Sequence, residues 1–277
     1  MLSLTPVAAE LEEYREDGKD TRHYVFRLID PSLIETPEHG QFFMLTVPGT
    51  GNAAFTFITM PDQQGRFHAL IRRTGSVTEA LFNCKPGAIV GIRGPFGTGW
   101  PLAALENQRV LMIAGGCGLA PLTSLTDYLI SRNEAEQPCL IYGAATTEKQ
   151  MLNARRDSWR RQMTVIDIVE SEKCGTATGT PLDALPACFN DSDKSPTTVL
   201  LCGPEKMMNV MAQACIAHGV KPSSIYLSVE RRMHCAVGLC GHCYLKNAYV
   251  CKQGPTFRFD HYLSLCSPAT EHTVKNH

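Results

Sequence analysis

Residues Val110 to Pro121 read VLMIAGGCGLAP. The uninterrupted apolar run from Val110 to Ala114 has the length of a buried strand, the glycines permit a tight turn, and a proline suits the first turn of a helix. A strand that enters a helix through a glycine turn is the unit of a parallel sheet. Backbone N–H groups at such a helix start can receive a pyrophosphate, although G-G-x-G-x-A-P also occurs as a tight connection that binds nothing.

Toward the C-terminus the unit repeats. Strand-length apolar runs at Cys139 to Tyr142, Thr164 to Val169 and Val199 to Cys202 alternate with helix-like stretches at Ala120 to Arg132, Lys149 to Arg161 and Lys206 to His218. This alternation implies a parallel sheet with helices on its faces. A second glycine turn, Cys202-Gly203-Pro204, leads into the helix bearing Met207 and Met208. The two turns are expected to meet at the carboxyl edge of the sheet, where open α/β sheets bind ligands. Cys202 reads either as a buried strand-end residue or as a direct nicotinamide contact. Asn190 to Thr198 is a polar loop.

Toward the N-terminus, from Val7 to about Gly99, the chain reads as short β-type runs at His23 to Ile29, Gln41 to Val47, Phe55 to Met60, Phe67 to Arg72 and Ile89 to Arg93. Gly, Pro and Asn clusters separate them, as in a barrel or sandwich. The helix-like stretch among them is Val77 to Asn83. Within FTFIT (Phe55 to Thr59) and RRTGSVT (Arg72 to Thr78), rings could pack on a flavin, and hydroxyls and N–H groups at the helix start could take its diphosphate. Barrel core plus a capped helix is the plainer reading of the same residues. Arg93-Gly-Pro-Phe-Gly-Thr-Gly99 closes this region.

Beyond Val229 regular periodicity fades and cysteines crowd together, so a small loop-rich unit held by a metal is expected. Cys235, Cys240, Cys243 and Cys251 stand as C-x4-C-x2-C-x7-C in HCAVGLCGHCYLKNAYVC. The first three have the plant-type 2Fe-2S spacing, and Gly238 and Gly241 let backbone N–H groups approach sulfide without a side chain in the way. Four cysteines also suit tetrahedral zinc, but zinc sites favour two C-x2-4-C pairs and this loop has one. Cys84, Cys139, Cys174, Cys188, Cys215 and Cys266 stand apart and read as packing residues, and His242 as an exposed polar residue.

The bulk numbers narrow the function further. A chain of 277 residues exceeds one ordinary domain, and 44% hydrophobic with 19% charged residues describes a globular protein. With 26 basic and 27 acidic residues, a formal charge of −1 lacks the basic footprint of a nucleic-acid binder. The N-terminus carries Glu10, Glu12 and Glu13 rather than a basic and then apolar signal, and Val110 to Leu122 is shorter than the roughly 20 residues of a membrane span. Twelve cysteines without a secretion signal fit a reducing, cytoplasmic setting.

The order FTFIT, RRTGSVT, RGPFGTGWP, IAGGCGLAP, YGAATTEKQM, LLCGP, SVERRMHCAVGLCGHC and YVCKQGPTF resembles the ferredoxin-NADP reductase superfamily, in the branch with a C-terminal 2Fe-2S module. That branch includes gamma subunits of soluble nickel-iron hydrogenases and sulfhydrogenases, the B subunit of anaerobic sulfite reductase and the electron-transfer subunit of dihydroorotate dehydrogenase. The resemblance implies an antiparallel FAD-binding β-barrel over 1–101, a parallel-sheet α/β nicotinamide-binding domain over 102–228 and a 2Fe-2S module over 229–277. It implies FAD contacts at Phe55, Thr56, Leu70, Ile71, Arg72, Gly75, Ser76, Val77 and Thr78. The nicotinamide nucleotide site would comprise Gly115, Gly116, Gly118, Leu119, Ala120, Cys202, Gly203, Pro204 and Met207, and Thr56 and Cys202 would flank the hydride transfer. The cluster ligands would be Cys235, Cys240, Cys243 and Cys251. Where many members place Arg-Pro before the aromatic and hydroxyl residues, this chain has Ala53-Ala54, so Arg72 or Arg73 would have to replace that clamp on the diphosphate.

The implied activity passes electrons between NAD(P)H, FAD and the cluster. The partner would be the catalytic subunit of a hetero-oligomer, a NiFe hydrogenase or sulfhydrogenase first and a sulfite or dihydroorotate enzyme second. A free-standing NAD(P)H-ferredoxin type reductase and a zinc-bound structural subunit are the alternatives. Ala144-Ala145 after Gly143 offers no basic partner for a 2′-phosphate, which leans toward NAD, although Arg155 and Arg156 follow.

Overall fold

The computed structural model describes residues 4–132, 137–171, 177–189 and 195–266. Cys174 and the 190–194 part of the polar loop lie outside the described residues. The first unit is built from β1 (Val7–Glu16), β2 (Thr21–Leu28), β3 (Phe42–Val47), β4 (Gly51–Thr56), β5 (Arg66–Arg72), α1 (Ser76–Asn83) and β6 (Ile89–Phe96). Its strands form an antiparallel sheet in the order β4-β3-β6-β1-β2-β5. A hydrogen bond from Ile58 N to the His68 carbonyl, 3.0 Å, ties the chain after β4 back to β5. Rings of Phe43, Phe57 and Phe67 fill the interior with centroids 4.6 to 5.2 Å apart, within the range at which edge-to-face pairs are favourable.

Two strand expectations change. The strand expected at Phe55 to Met60 is Gly51–Thr56 instead, and Phe57 and Ile58 are buried in a crossover. Burial, rather than strand structure, accounts for that apolar run. Strand β1 was not singled out because its glutamates obscure the alternation. In the fold Glu10 and Glu12 pair with Arg27, and Glu12 also with Arg66 at 2.7 Å, across the outer face of the sheet.

The second unit alternates β7 (Val110–Gly115), α2 (Ala120–Ser131), β8 (Cys139–Ala144), α3 (Asn153–Arg160), β9 (Thr164–Val169), α4 (Pro181–Ala184), β10 (Thr198–Cys202), α5 (Glu205–Ala217) and β11 (Ile225–Ser228). Strands β11-β10-β7-β8-β9 are parallel. Helix α3 starts later than expected, because Leu152 takes a left-handed conformation with φ 55°.

The C-terminal part contains the β12 (Tyr244–Leu245) and β13 (Ala248–Tyr249) hairpin, α6 (Val250–Gln253), β14 (Thr256–Arg258) and α7 (Phe259–Cys266). Strand β14 pairs antiparallel with β11 and extends the parallel sheet to six strands. Phe257, Phe259, Tyr262 and Leu245 are buried in the same core as Leu227 and Val199 of the sheet and Phe42, Met44 and Phe96 of the barrel. The expected metal-held unit is therefore also held by apolar packing, which its lack of periodicity concealed.

The barrel docks on the sheet through its β1–β2 turn. Lys19 N donates to the Glu148 carbonyl at 2.7 Å, and Leu152 N donates to Asp17 Oδ1 at 2.6 Å. Trp100, buried in the linker, donates Nε1–H to the Pro121 carbonyl at the start of α2, 2.7 Å. These contacts fix where the end of β5 stands against the glycine turn after β7.

Candidate functional site

Strands β7 and β10 are neighbours, so their glycine turns touch. A Cβ on Gly118 would fall inside the van der Waals shell of the Cys202 carbonyl and lie 2.6 Å from Gly203 N. Only a residue without a side chain allows that approach. Beyond Gly115, residues Gly116–Leu119 make one 3-10 turn before α2 opens. A cleft of about 700 Å³ spreads from these turns, lined by Gly115, Gly116, Gly118, Gly203, Pro204 and Met207 together with Arg72 from the barrel.

The expected nucleotide residues divide into two groups. Those six line the cleft, whereas the side chains of Leu119 and Ala120 are packed in the core behind it. Cys202 is fully buried at the end of β10, so its sulfur is inside the wall rather than on it. Burial pushes its thiol well above the ordinary range, the Glu230 charge adds to this, and a hydrogen bond with Ser228 acts against it. It is therefore a neutral thiol at physiological pH. The cleft also contains Gly143, Ala144 and Lys149 of the YGAATTEKQM motif and Glu230 of the approach to the first cysteine, none of them expected as a contact, together with Glu170 and Thr180, which lay in no motif. A carboxylate or lysine after a strand end was the available signal. Burial in the cleft raises the Glu230 carboxyl above its usual value, and the Arg72 charge opposes this.

On the barrel side, Phe55 and Thr56 end β4 while Leu70, Ile71 and Arg72 end β5. Ile71 points into the barrel core, and Leu70 packs in the core shared with the nucleotide unit. Arg72 lies 3.6 Å from where a Cβ on Gly116 would stand. Arg73, its alternative as the diphosphate clamp, is engaged with Asp20 at 3.1 Å and Glu79 at 3.8 Å. Gly75 and Ser76 are exposed at the start of α1, and a Cβ on Gly75 would meet open space. Val77 is half-buried. Thr78 is buried because its Oγ1 accepts from Thr74 N and Gly75 N, both at 2.9 Å, and donates to the Gly75 carbonyl at 2.8 Å. The hydroxyl thus shapes the helix entrance and has no free valence for a ligand. An exposed helix start beside a guanidinium is a donor set suited to a diphosphate, so these residues fit FAD.

The cysteine loop curls through Ala236, Gly238 and Gly241 at φ 63°, 76° and 78°. That curl aims N–H groups at sulfur: Val237, Leu239 and Cys240 N donate to Cys235 Sγ at 3.4, 3.3 and 3.4 Å, and Gly238 N to Cys251 Sγ at 3.2 Å. Cys235, Cys240 and Cys243 lie on this loop and Cys251 on α6 beside it, and among the described residues no three His, Cys, Asp or Glu side chains are drawn together around a metal position. Four cysteines on one curled segment, with backbone N–H groups aimed at the sulfurs of Cys235 and Cys251, are the donor set that a 2Fe-2S centre takes. Cys243 and Cys251 are buried and Cys240 is exposed, so the site faces solvent at one corner. His242 is exposed, its ring against that of His234 with centroids 4.2 Å apart. Barrel and cluster loop join through Thr98 N, which donates to the Gly254 carbonyl at 2.6 Å, and through Arg93.

The chain matches three family descriptions in order: oxidoreductase FAD-binding domain over residues 8–100, oxidoreductase NAD-binding domain over 112–213, and iron-sulfur cluster binding domain of dihydroorotate dehydrogenase B over 230–262. It is 33% identical over 253 residues to the sulfhydrogenase 1 gamma subunit of Pyrococcus furiosus, covering 85% of each chain. It is 30% identical over 258 residues to the probable dihydroorotate dehydrogenase B (NAD(+)) electron transfer subunit of Methanopyrus kandleri, covering 93% of this chain and 92% of that one. A solved chain of the NADH-dependent reduced ferredoxin-NADP oxidoreductase superposes with a TM-score of 0.76 at 20% identity, covering 92% and 91% of the two chains. Among the described residues no helix is long and apolar enough to cross a membrane.

Proposed function

This chain belongs to the ferredoxin-NADP reductase superfamily, in the branch with FAD-binding, NAD-binding and C-terminal iron-sulfur domains, and from that premise we propose that it is the electron-transfer subunit of a cytoplasmic nickel-iron hydrogenase or sulfhydrogenase complex. A flavin accepts electrons in pairs and releases them singly, which is what joins a nicotinamide to a 2Fe-2S centre. The observation that carries the reading is the junction of three motifs in one packed body. Arg72 at the end of β5 faces the glycine turn of β7, and β6 of the same barrel is bonded to the cysteine loop.

The residues divide the work by position. Arg72, Gly75 and Ser76 hold the diphosphate of FAD, with Phe55, Thr56, Leu70, Ile71, Val77 and Thr78 forming its barrel wall. Gly115, Gly116, Gly118, Gly203, Pro204 and Met207 seat the nicotinamide nucleotide, and Leu119, Ala120 and Cys202 back that seat from the core. Thr56 stands on the flavin side of the reacting rings, while the neutral Cys202 supports the nicotinamide seat from within the wall, and neither moves a proton. Hydride transfer asks the protein for alignment and exclusion of water rather than acid or base catalysis. Cys235, Cys240, Cys243 and Cys251 ligate the cluster, and exposed Cys240 turns that corner toward a partner subunit.

The test is anaerobic mixing of the purified chain with NADH and with NADPH, followed by flavin absorbance and by EPR of the cluster. Flavin bleaching followed by a reduced 2Fe-2S signal is the expected result, faster with NADH, and a flavin that stays oxidised with both ends the proposal. Co-purification from the native source decides the partner. A hydrogenase is expected, and a dihydroorotate or sulfite enzyme would reassign the complex.

A further inference from the structure

Arg93 belongs to β6, yet its side chain is only 7% exposed and leaves the barrel for the cysteine loop. Its guanidinium donates from Nη1 to the Cys235 carbonyl at 3.2 Å and from Nη2 to the His234 carbonyl at 3.4 Å, and it stands 5.8 Å from the centre of the Phe96 ring. Among the described residues no acidic side chain is paired with this guanidinium. An uncompensated buried cation is costly, so natural chains pair such groups or use them. Neither carbonyl bond supplies a counter-charge.

We propose that Arg93 is the buried positive charge that raises the reduction potential of the 2Fe-2S centre, acting through the loop backbone to which it is bonded. The inference rests on reading Cys235, Cys240, Cys243 and Cys251 as its ligands. Four thiolates and two sulfides leave such a centre anionic, and reduction adds one further electron. A fixed cation in a low-dielectric setting therefore favours the reduced form, and burial and hydrogen bonding are recognised means by which a protein sets this potential. Lys252 and Arg232 are also close in sequence to the cysteines but are exposed, where water and salt screen their charge. Among the described residues Arg93 is the buried cation bonded to the loop backbone, across 142 residues of chain.

The experiment uses the full chain purified anaerobically as wild type, Arg93→Gln, Arg93→Met and Arg93→Lys. Iron, acid-labile sulfide and flavin are measured first, and then the midpoint potential of the cluster by EPR during titration with dithionite, which supplies the electron. Both neutral variants are expected to shift the reduced-to-oxidised ratio at fixed potential by about tenfold toward the oxidised form, about 59 mV for one electron. Arg93→Lys should recover most of that shift. Wild-type potential in a loaded Arg93→Gln or Arg93→Met chain would overturn the proposal. So would loss of iron from both neutral variants with flavin retained, since Arg93 would then only build the loop. Wild-type protein that carries no iron would instead remove the reading of the four cysteines on which the inference stands.

Discussion

His23 Nε2 and His68 Nδ1 share a hydrogen bond of 2.8 Å on the face of the β2–β5 pair that turns away from the barrel core toward the nucleotide unit. Arg15 Nη2 lies 2.8 Å and Asp17 Oδ2 3.5 Å from His23 Nδ1, so His23 is held between a guanidinium, a carboxylate and the ring of His68.

A pH dependence follows. Burial first, and then the positive neighbours His23, Arg155 and Arg15, lower the His68 pKa from 6.5 to about 4. The unfolded chain thus binds a proton between these values that the folded chain refuses, so stability is full above pH 6.5 and falls as acid takes the pH toward 4. Urea unfolding midpoints across this window should decline in the wild type and decline less in His68→Asn, whose side-chain amide can still bond to His23 as donor or acceptor. Equal slopes for the two proteins would remove His68 from the explanation.

Gly118 should tolerate no side chain. Its Cβ would press on the backbone of Cys202 and Gly203, which cannot rotate away, and overpacking of this kind costs roughly 1–3 kcal/mol. Gly118→Ala is expected to lower the unfolding temperature and weaken NADH binding together. Gly75→Ala, where the new methyl meets open space on an extended backbone, should leave the unfolding temperature in place. Calorimetry and nucleotide titration on both variants give the comparison, and an unperturbed Gly118→Ala would show that the two turns can separate freely.

Arg72→Ala should release flavin. Arg73 is occupied by Asp20 and Glu79 and is poorly placed to take over. A charge-assisted hydrogen bond to a diphosphate is worth about 1.5–3 kcal/mol, which corresponds to roughly 10- to 150-fold in affinity. Fluorescence of flavin released on dilution measures this directly. The complementary variant Arg73→Ala is expected to bind as the wild type does, and a reversal of the two effects would move the clamp.

Serine at any one of positions 235, 240, 243 or 251 should abolish the 2Fe-2S absorbance and most of the iron while leaving flavin bound. Cys215, which is buried in the core far from the loop in sequence, supplies the comparison: Cys215→Ser should keep its iron. Iron and flavin assays on the five proteins suffice. A cluster retained in Cys251→Ser would displace that residue from the ligand set.

Much of this was legible in the sequence because it is local. The run at Val110 and its glycine turn are one strand and one bend, and the three cysteines after Met233 occupy a single loop. The Glu10 and Glu12 positions misled because their arginine partners lie on other strands, 15 to 54 residues away. Phe57 and Ile58 misled because a buried crossover and a buried strand have the same composition.

By itself the amino-acid sequence determined the three-part order, the parallel sheet, the thiol set and the glycine turns, all of which are set by neighbours within a few residues. Only the tertiary structure decided that Arg72 rather than Arg73 faces the cleft, that Cys202 is a wall and not a surface, that β14 completes the nucleotide sheet, and that Arg93 reaches Cys235. The physical reason is that burial, charge and hydrogen-bond partnership depend on distance in space, and these pairs come together only when the barrel, the sheet and the cysteine loop close around shared cores.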